Sequence, residues 1–176
     1  MTTSRLLLGP GASGGPERLT PIVSALEARG VSAAVVALPR GTAERAVPVY
    51  RATLDAEGAG VAIGGHSFGG RVASMLAADT GATNGPAALV LLSYPLHAPG
   101  RHEAWDSRTS HWPAIRCPVL LLSGEADPFA RIDLLRTAVD RLDDARLRTW
   151  PRLGHGIGPV LGEAVEEIVG FLAGRT

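Results

Sequence analysis

Two hydrophobic patterns alternate along the chain. Short, unbroken apolar runs read as strands: Arg5–Gly9 (RLLLG), Val31–Leu38 (VSAAVVAL), Val61–Gly64, Ala87–Ser93 (AALVLLS), Pro118–Ser123 (PVLLLS) and, less apolar, Arg146–Trp150. Between them apolar residues recur every three or four positions, as on the buried stripe of a helix. Leu19, Ile22, Val23 and Leu26 form one such stripe, with Thr20 as the expected N-cap, Pro21 in the first helical position and Gly30 as the stop. An interior proline would break a helix, so Pro48 is expected to open the second one, which runs to about Ala56. Further helices are predicted over Gly69–Asp79, through Ile132, Leu135, Val139 and Leu142, and through Leu161, Val165, Ile168 and Leu172.

Strands without polar alternation are buried on both faces, and strands that alternate with helices belong to a parallel sheet covered by helices. The prediction is an α/β fold with about six parallel strands and helices on both faces. A length of 176 residues suits one domain, 1–176, with one sizeable core. Residues 95–113 form a long connection without clear structure, and no segment is large enough for a separate lid domain.

Composition narrows the partners. The formal net charge is zero and there is no basic run, which removes the electrostatic case for nucleic acid or an anionic membrane. No apolar run approaches the ~18 residues of a membrane span, and the N-terminal stretch lacks the long apolar region of a signal peptide. Cys117 is the only cysteine, which fits a reducing compartment; a cytoplasmic protein is expected.

The chemistry centres on GGHSFGG, residues 64–70. Gly65-His66-Ser67-Phe68-Gly69 matches G-x-S-x-G, a pattern that chance would produce about 0.16 times among ten serines and 22 glycines. Its position carries more weight than the match. It follows a buried strand and opens a helix, where a nucleophile elbow holds a serine on a strained turn at the carboxyl edge of a sheet. Small residues on either side let strand and helix pass closely, and the positive end of the helix points at the site. A phosphate-binding loop would want a lysine, and all 17 cationic side chains are arginine.

A serine hydroxyl needs a base, and the base needs an orienting carboxylate. In this arrangement the chain order is Ser, acid, His. Asp127 in GEADP follows the fifth strand and His155 in LGHGI follows the sixth, so both loops leave the sheet edge that carries Ser67. Glu125 is the rival acid, and Asp127 before Pro128 could instead cap the next helix. His66 reads as a neighbour of the nucleophile rather than the base, and His97, His102 and His111 as surface or pocket-wall residues. Acyl transfer also needs backbone N–H groups aimed at the developing oxyanion. Phe68 is one expected donor, and the loop after the first strand, Pro10-Gly11-Ala12-Ser13-Gly14, is expected to supply the other, with Ala12 as the candidate. Tyr94, Leu96, Trp105 and Trp112 are candidates for the pocket wall, with core packing as the alternative. Arg71 could bind a carboxylate, with a structural ion pair as its plainer role.

IGGHSFGGRVAS (63–74), YPLHAPG (94–100), SGEADPF (123–129) and LGHG (153–156) together resemble the small, dienelactone-hydrolase-like branch of the α/β-hydrolases. More narrowly, they resemble the compact family that includes a testis-expressed hydrolase-like protein and the hydrolase-like subunit of the NSL chromatin complex. The resemblance implies a sheet in the order 2-1-3-4-5-6 and the triad Ser67, Asp127 and His155. The chain departs from the family pattern at Pro10, where a histidine is usual, and at His66, where lysine is usual. Family membership names no substrate; the leading reading of the residues themselves is hydrolysis of a small-molecule ester or thioester of a small acid, with no cofactor and no metal. Acyl transfer by the same residues and a non-catalytic binding module are the alternatives.

Overall fold

The computed structural model describes residues 5–79 and 84–174; residues 1–4, the start of the segment read above for a signal peptide, lie outside it, as do 80–83 and 175–176. Six strands, β1 (Arg5–Gly9), β2 (Ser32–Val35), β3 (Val61–His66), β4 (Leu89–Leu92), β5 (Val119–Gly124) and β6 (Ala145–Trp150), form one sheet in the order β2-β1-β3-β4-β5-β6. Every pairing is parallel. The helices are α1 (Thr20–Glu27), α2 (Ala43–Glu57), α3 (Phe68–Ala77), α4 (Trp105–Thr109), α5 (Ile132–Val139) and α6 (Leu161–Ala173).

Strand side chains alternate between two cores because successive residues point to opposite faces. Leu7, Ile63, Leu91 and Leu121 pack with α2, α3 and α5 on one face. Leu6, Leu8, Leu92 and Leu122 pack with α1 and α6 on the other. Edge strand β6 instead alternates, with Arg146 and Arg148 outward; Arg148 meets Glu163 and Glu167 of α6. Charges on an edge strand oppose pairing with another chain. Among the described residues no helix is long and apolar enough to cross a membrane.

Tyr50 ties α2 to the centre of the sheet. Its buried hydroxyl lies 2.7 Å from the carbonyls of both Leu7 and Gly64 and accepts the Gly64 N–H at 3.1 Å. Full burial raises the phenol pKa, so it stays protonated and available as a donor.

Three local expectations are corrected. Thr20 is not an N-cap: a 3-10 turn over Pro16–Leu19 runs directly into α1, and Thr20 already has helical dihedrals. Pro48 does not open α2 but lies inside it, because the helix begins at Ala43. Its ring and Glu44, whose carbonyl loses the hydrogen bond, are both exposed, so water can replace the missing donor. The connection over 95–113 is not structureless. It contains α4, which packs against α5, and two 3-10 turns, His102–Ala104 beside α4 and Trp112–Ala114 against α3.

Candidate active site

The site sits where β3 turns into α3. Ser67 has φ 50° and ψ −113°, a conformation that side-chain-bearing residues rarely adopt. The strain is held from several sides. The Ser67 N–H donates to the Leu92 carbonyl of β4 at 2.9 Å, and the Arg71 N–H of α3 closes back on the Ser67 carbonyl at 3.0 Å. The glycines answer a spatial demand. A Cβ on Gly69 would lie 2.0 Å from the Gly9 carbonyl oxygen, and one on Gly65 would lie 2.5 Å from that same oxygen. Only glycine lets β1, β3 and α3 meet this closely.

The loops after β5 and β6 bring two more groups to Ser67. His155 Nε2 is 2.8 Å from Ser67 Oγ, and His155 Nδ1 is 2.8 and 3.0 Å from the two Asp127 oxygens. A carboxylate only accepts, so Nδ1 carries the proton and Nε2 is left to accept from the serine hydroxyl. The Asp127 side chain is fully buried, and its Oδ1 also accepts the Phe129 N–H at 2.8 Å. The Phe129 ring packs on the imidazole, 4.5 Å between centroids. Gly124 permits the close approach of the two loops, since a Cβ there would lie 2.0 Å from the Leu153 carbonyl. Glu125, the rival acid, accepts from Thr149 Oγ1 at 2.7 Å and lies 3.5 Å from Arg136; it does not reach His155.

His66 has a part that the sequence did not reveal. Its Nε2 donates to the His155 carbonyl at 2.8 Å, which ties the elbow to the histidine loop. Burial, above all, lowers its pKa, so the ring is neutral and Nδ1 is an acceptor. Nδ1 faces the first loop: a Cβ on Gly11 would lie 3.0 Å from it. Phe68 opens α3, so its N–H has no intrahelical acceptor. Ala12 and Phe68 together border a cavity of about 360 Å3. A second cavity, of about 450 Å3, opens beside His155 and His66 and is walled by Gly11, Leu92, Ile157 and Leu161.

None of the four proposed pocket-wall residues lines either cavity. Tyr94, Leu96 and Trp112 are core residues. The Tyr94 and Trp112 rings meet edge to face at 5.0 Å, and the Tyr94 hydroxyl donates to the Arg108 carbonyl. Trp105 on α4 lies under the Arg141 guanidinium. The connection that carries them folds onto the α3 and α5 face of the sheet, away from the cleft. His97 is buried and accepts the Arg131 N–H, and His111 pairs with Ser74. Arg71 lies 3.6 Å from Glu44. Burial pushes the Cys117 thiol up to about 11, which leaves no thiolate to compete as a nucleophile near neutral pH. Among the described residues no cluster of three or more His, Cys, Asp or Glu side chains could hold a metal ion.

A family model described as an alpha/beta hydrolase domain matches residues 41–157, which include Ser67, Asp127 and His155. The chain belongs to the alpha/beta hydrolase family. Solved structures agree on the fold of this alpha/beta hydrolase. A monoacylglycerol lipase from Paleococcus ferrophilus superposes with a TM-score of 0.84 at 16% identity, covering 98% of this chain and 95% of that one. An enol-lactonase from Burkholderia xenovorans gives 0.80 at 15% identity, with 98% and 92% covered. Est1E from Butyrivibrio proteoclasticus, solved with ferulic acid bound, gives 0.76 at 16% identity, with 97% and 90% covered. At such identities the likeness speaks for the fold alone. No curated protein matches the sequence significantly.

Proposed function

We propose that this protein is a serine hydrolase that cleaves an ester or thioester of a small acid through an acyl-enzyme on Ser67. The observation that carries the reading is the hydrogen-bonded chain Ser67 Oγ, His155 Nε2, His155 Nδ1, Asp127 on a strained strand-to-helix turn. In this reading His155 takes the proton as Ser67 Oγ attacks the substrate carbonyl. The N–H groups of Phe68 and Ala12 stabilise the oxyanion. His155 then protonates the departing alcohol or thiol, and the same base activates a water that releases the acid. Asp127 keeps the imidazole in the required tautomer.

Two proteins of the same fold are named as a monoacylglycerol lipase and an enol-lactonase, which supports hydrolysis as the reaction class. The finer placement in the dienelactone-hydrolase-like branch, near the hydrolase-like NSL subunit, is part of the same proposal and rests on the four quoted segments. A single cysteine, Cys117, leaves no disulfide to protect, in keeping with the cytoplasm.

The test is a screen of p-nitrophenyl esters and acyl-CoA thioesters by acyl length, run in parallel on wild type and Ser67→Ala. Turnover of a short-chain member by the wild type, lost at least 10³-fold in the variant, is the expected result. Turnover retained by a folded Ser67→Ala variant would remove the reading.

A further inference from the structure

The cavity beside His155 has an uneven lining. Its walls are mostly apolar or glycine, among them Leu19, Ile22, Leu92, Ile157 and Leu161, and no aspartate or glutamate faces it. Among the described residues, Arg18 brings the one full positive charge on its wall. Arg5, Arg29, Arg51, Arg141 and Arg148 are each held by a carboxylate, whereas Arg18 is paired with no acid among the described residues. The adjacent carboxylate, Glu17, is turned to the Gly15 N–H, which it accepts at 3.0 Å.

Arg18 is also seated against the loop that borders the site. A Cβ on Gly14 would lie 2.3 Å from Arg18 Nε and 2.5 Å from its Cδ, and Gly14 has φ +103°. The loop therefore leaves room for the arginine stem where another residue would displace it. The Arg18 charge lies close enough to bear on the His66 imidazole, one residue from Ser67. A planar guanidinium on the wall of a cavity that His66 and His155 also line, with no aspartate or glutamate there to neutralise it, matches a carboxylate through two parallel hydrogen bonds.

We propose that Arg18 determines specificity by binding a carboxylate carried by the substrate, so that the preferred substrates are esters or thioesters that bear a free carboxylate. The proposal rests on the reading of Ser67 as the nucleophile and adds the class of molecule it attacks. The acid group can stand on the acyl or on the alcohol side of the scissile bond, and the test separates the two.

kcat/KM is compared within two matched pairs on wild type and Arg18→Gln. The first pair is mono-p-nitrophenyl glutarate against its methyl ester; the second is 4-acetoxybenzoate against methyl 4-acetoxybenzoate. In at least one pair the wild type should favour the anionic member about tenfold at low ionic strength, and 0.5 M salt should erode that preference. Arg18→Gln should abolish it, mainly through KM, with the neutral member unchanged within about twofold. The pair that responds names the side that carries the acid. A binding arm needs no turnover: millimolar monomethyl glutarate should raise the melting temperature of the wild type and not of Arg18→Gln. Equal treatment of anionic and neutral members by both proteins, or stabilisation indifferent to Arg18, would overturn the proposal. Arg18-dependent binding without turnover of any ester would sustain it and count against the hydrolase reading alone.

Discussion

At the scale of single residues, the site depends on which nitrogen of each histidine holds a proton. His155 has Nδ1 on Asp127 and Nε2 on Ser67. Asp127→Asn would let the ring turn to the wrong tautomer, and activity should fall by as much as ~10⁴-fold. Glu125→Gln should leave activity within about twofold, since Glu125 is bound to Thr149. Steady-state kinetics on both variants checks this, and the opposite ranking would show that Glu125 is the acid. His66 acts one step further out, through its bond to the His155 carbonyl. His66→Phe should lower kcat roughly tenfold with KM little changed, because it loosens the loop that carries His155 rather than a binding contact. A change confined to KM would place His66 in substrate binding instead.

At the scale of elements, the elbow is a packing solution as much as a chemical one. Adding one methyl at Gly69 would drive it into the Gly9 backbone at 2.0 Å, with no flexible side chain to yield. Gly69→Ala should therefore destabilise the protein by about 2 kcal/mol or more, read by chemical denaturation. An unchanged midpoint would mean that β1 and α3 can separate without cost. The connection over 95–113 is pinned to α3 by His111, which lies 2.8 Å from Ser74 Oγ. Burial first, and the charge of Arg71 second, push the His111 pKa down to about 4. The unfolded chain, with a histidine near 6.5, then binds the extra proton first as the pH falls. Stability is full above about pH 6.5 and is lost as the pH drops toward 4. Between pH 7 and pH 5 this amounts to about 1–2 kcal/mol, or a melting temperature lower by roughly 2–6 °C. His111→Gln, which keeps a donor for Ser74, should lose that part of the pH dependence. Identical pH profiles for the two proteins would contradict the assignment.

At the scale of the whole molecule, the parts that sequence made legible are those that local pattern determines. Unbroken runs such as Leu89–Leu92 are too short for a buried helix and read as strands buried on both sides, and their alternation with helical stripes leaves a parallel sheet as the economical arrangement. Ser67, Asp127 and His155 could be picked out because each follows a strand, and parallel strands deliver their following loops to one edge. What escaped was decided by tertiary packing. Tyr94, Leu96 and Trp112 stand in a polar connection, and nothing local says that it folds onto α3 rather than over Ser67. Pro48 misled because the cost of a missing hydrogen bond depends on whether water can reach the carbonyl, which is a property of the surface. Arg18 is one of 17 arginines, and only its place on the wall of the cleft sets it apart.

The central claim is that one serine in this molecule is activated by its neighbours. It is tested most directly by intact-protein and peptide mass spectrometry after treatment with a fluorophosphonate at neutral pH. The account predicts a single adduct on wild type, mapped to the peptide that carries Ser67, and no adduct on Ser67→Ala. It further predicts slow or absent labelling of His155→Ala, which keeps the hydroxyl but loses its base. An adduct on another serine, or no adduct on a folded wild-type protein, would contradict it.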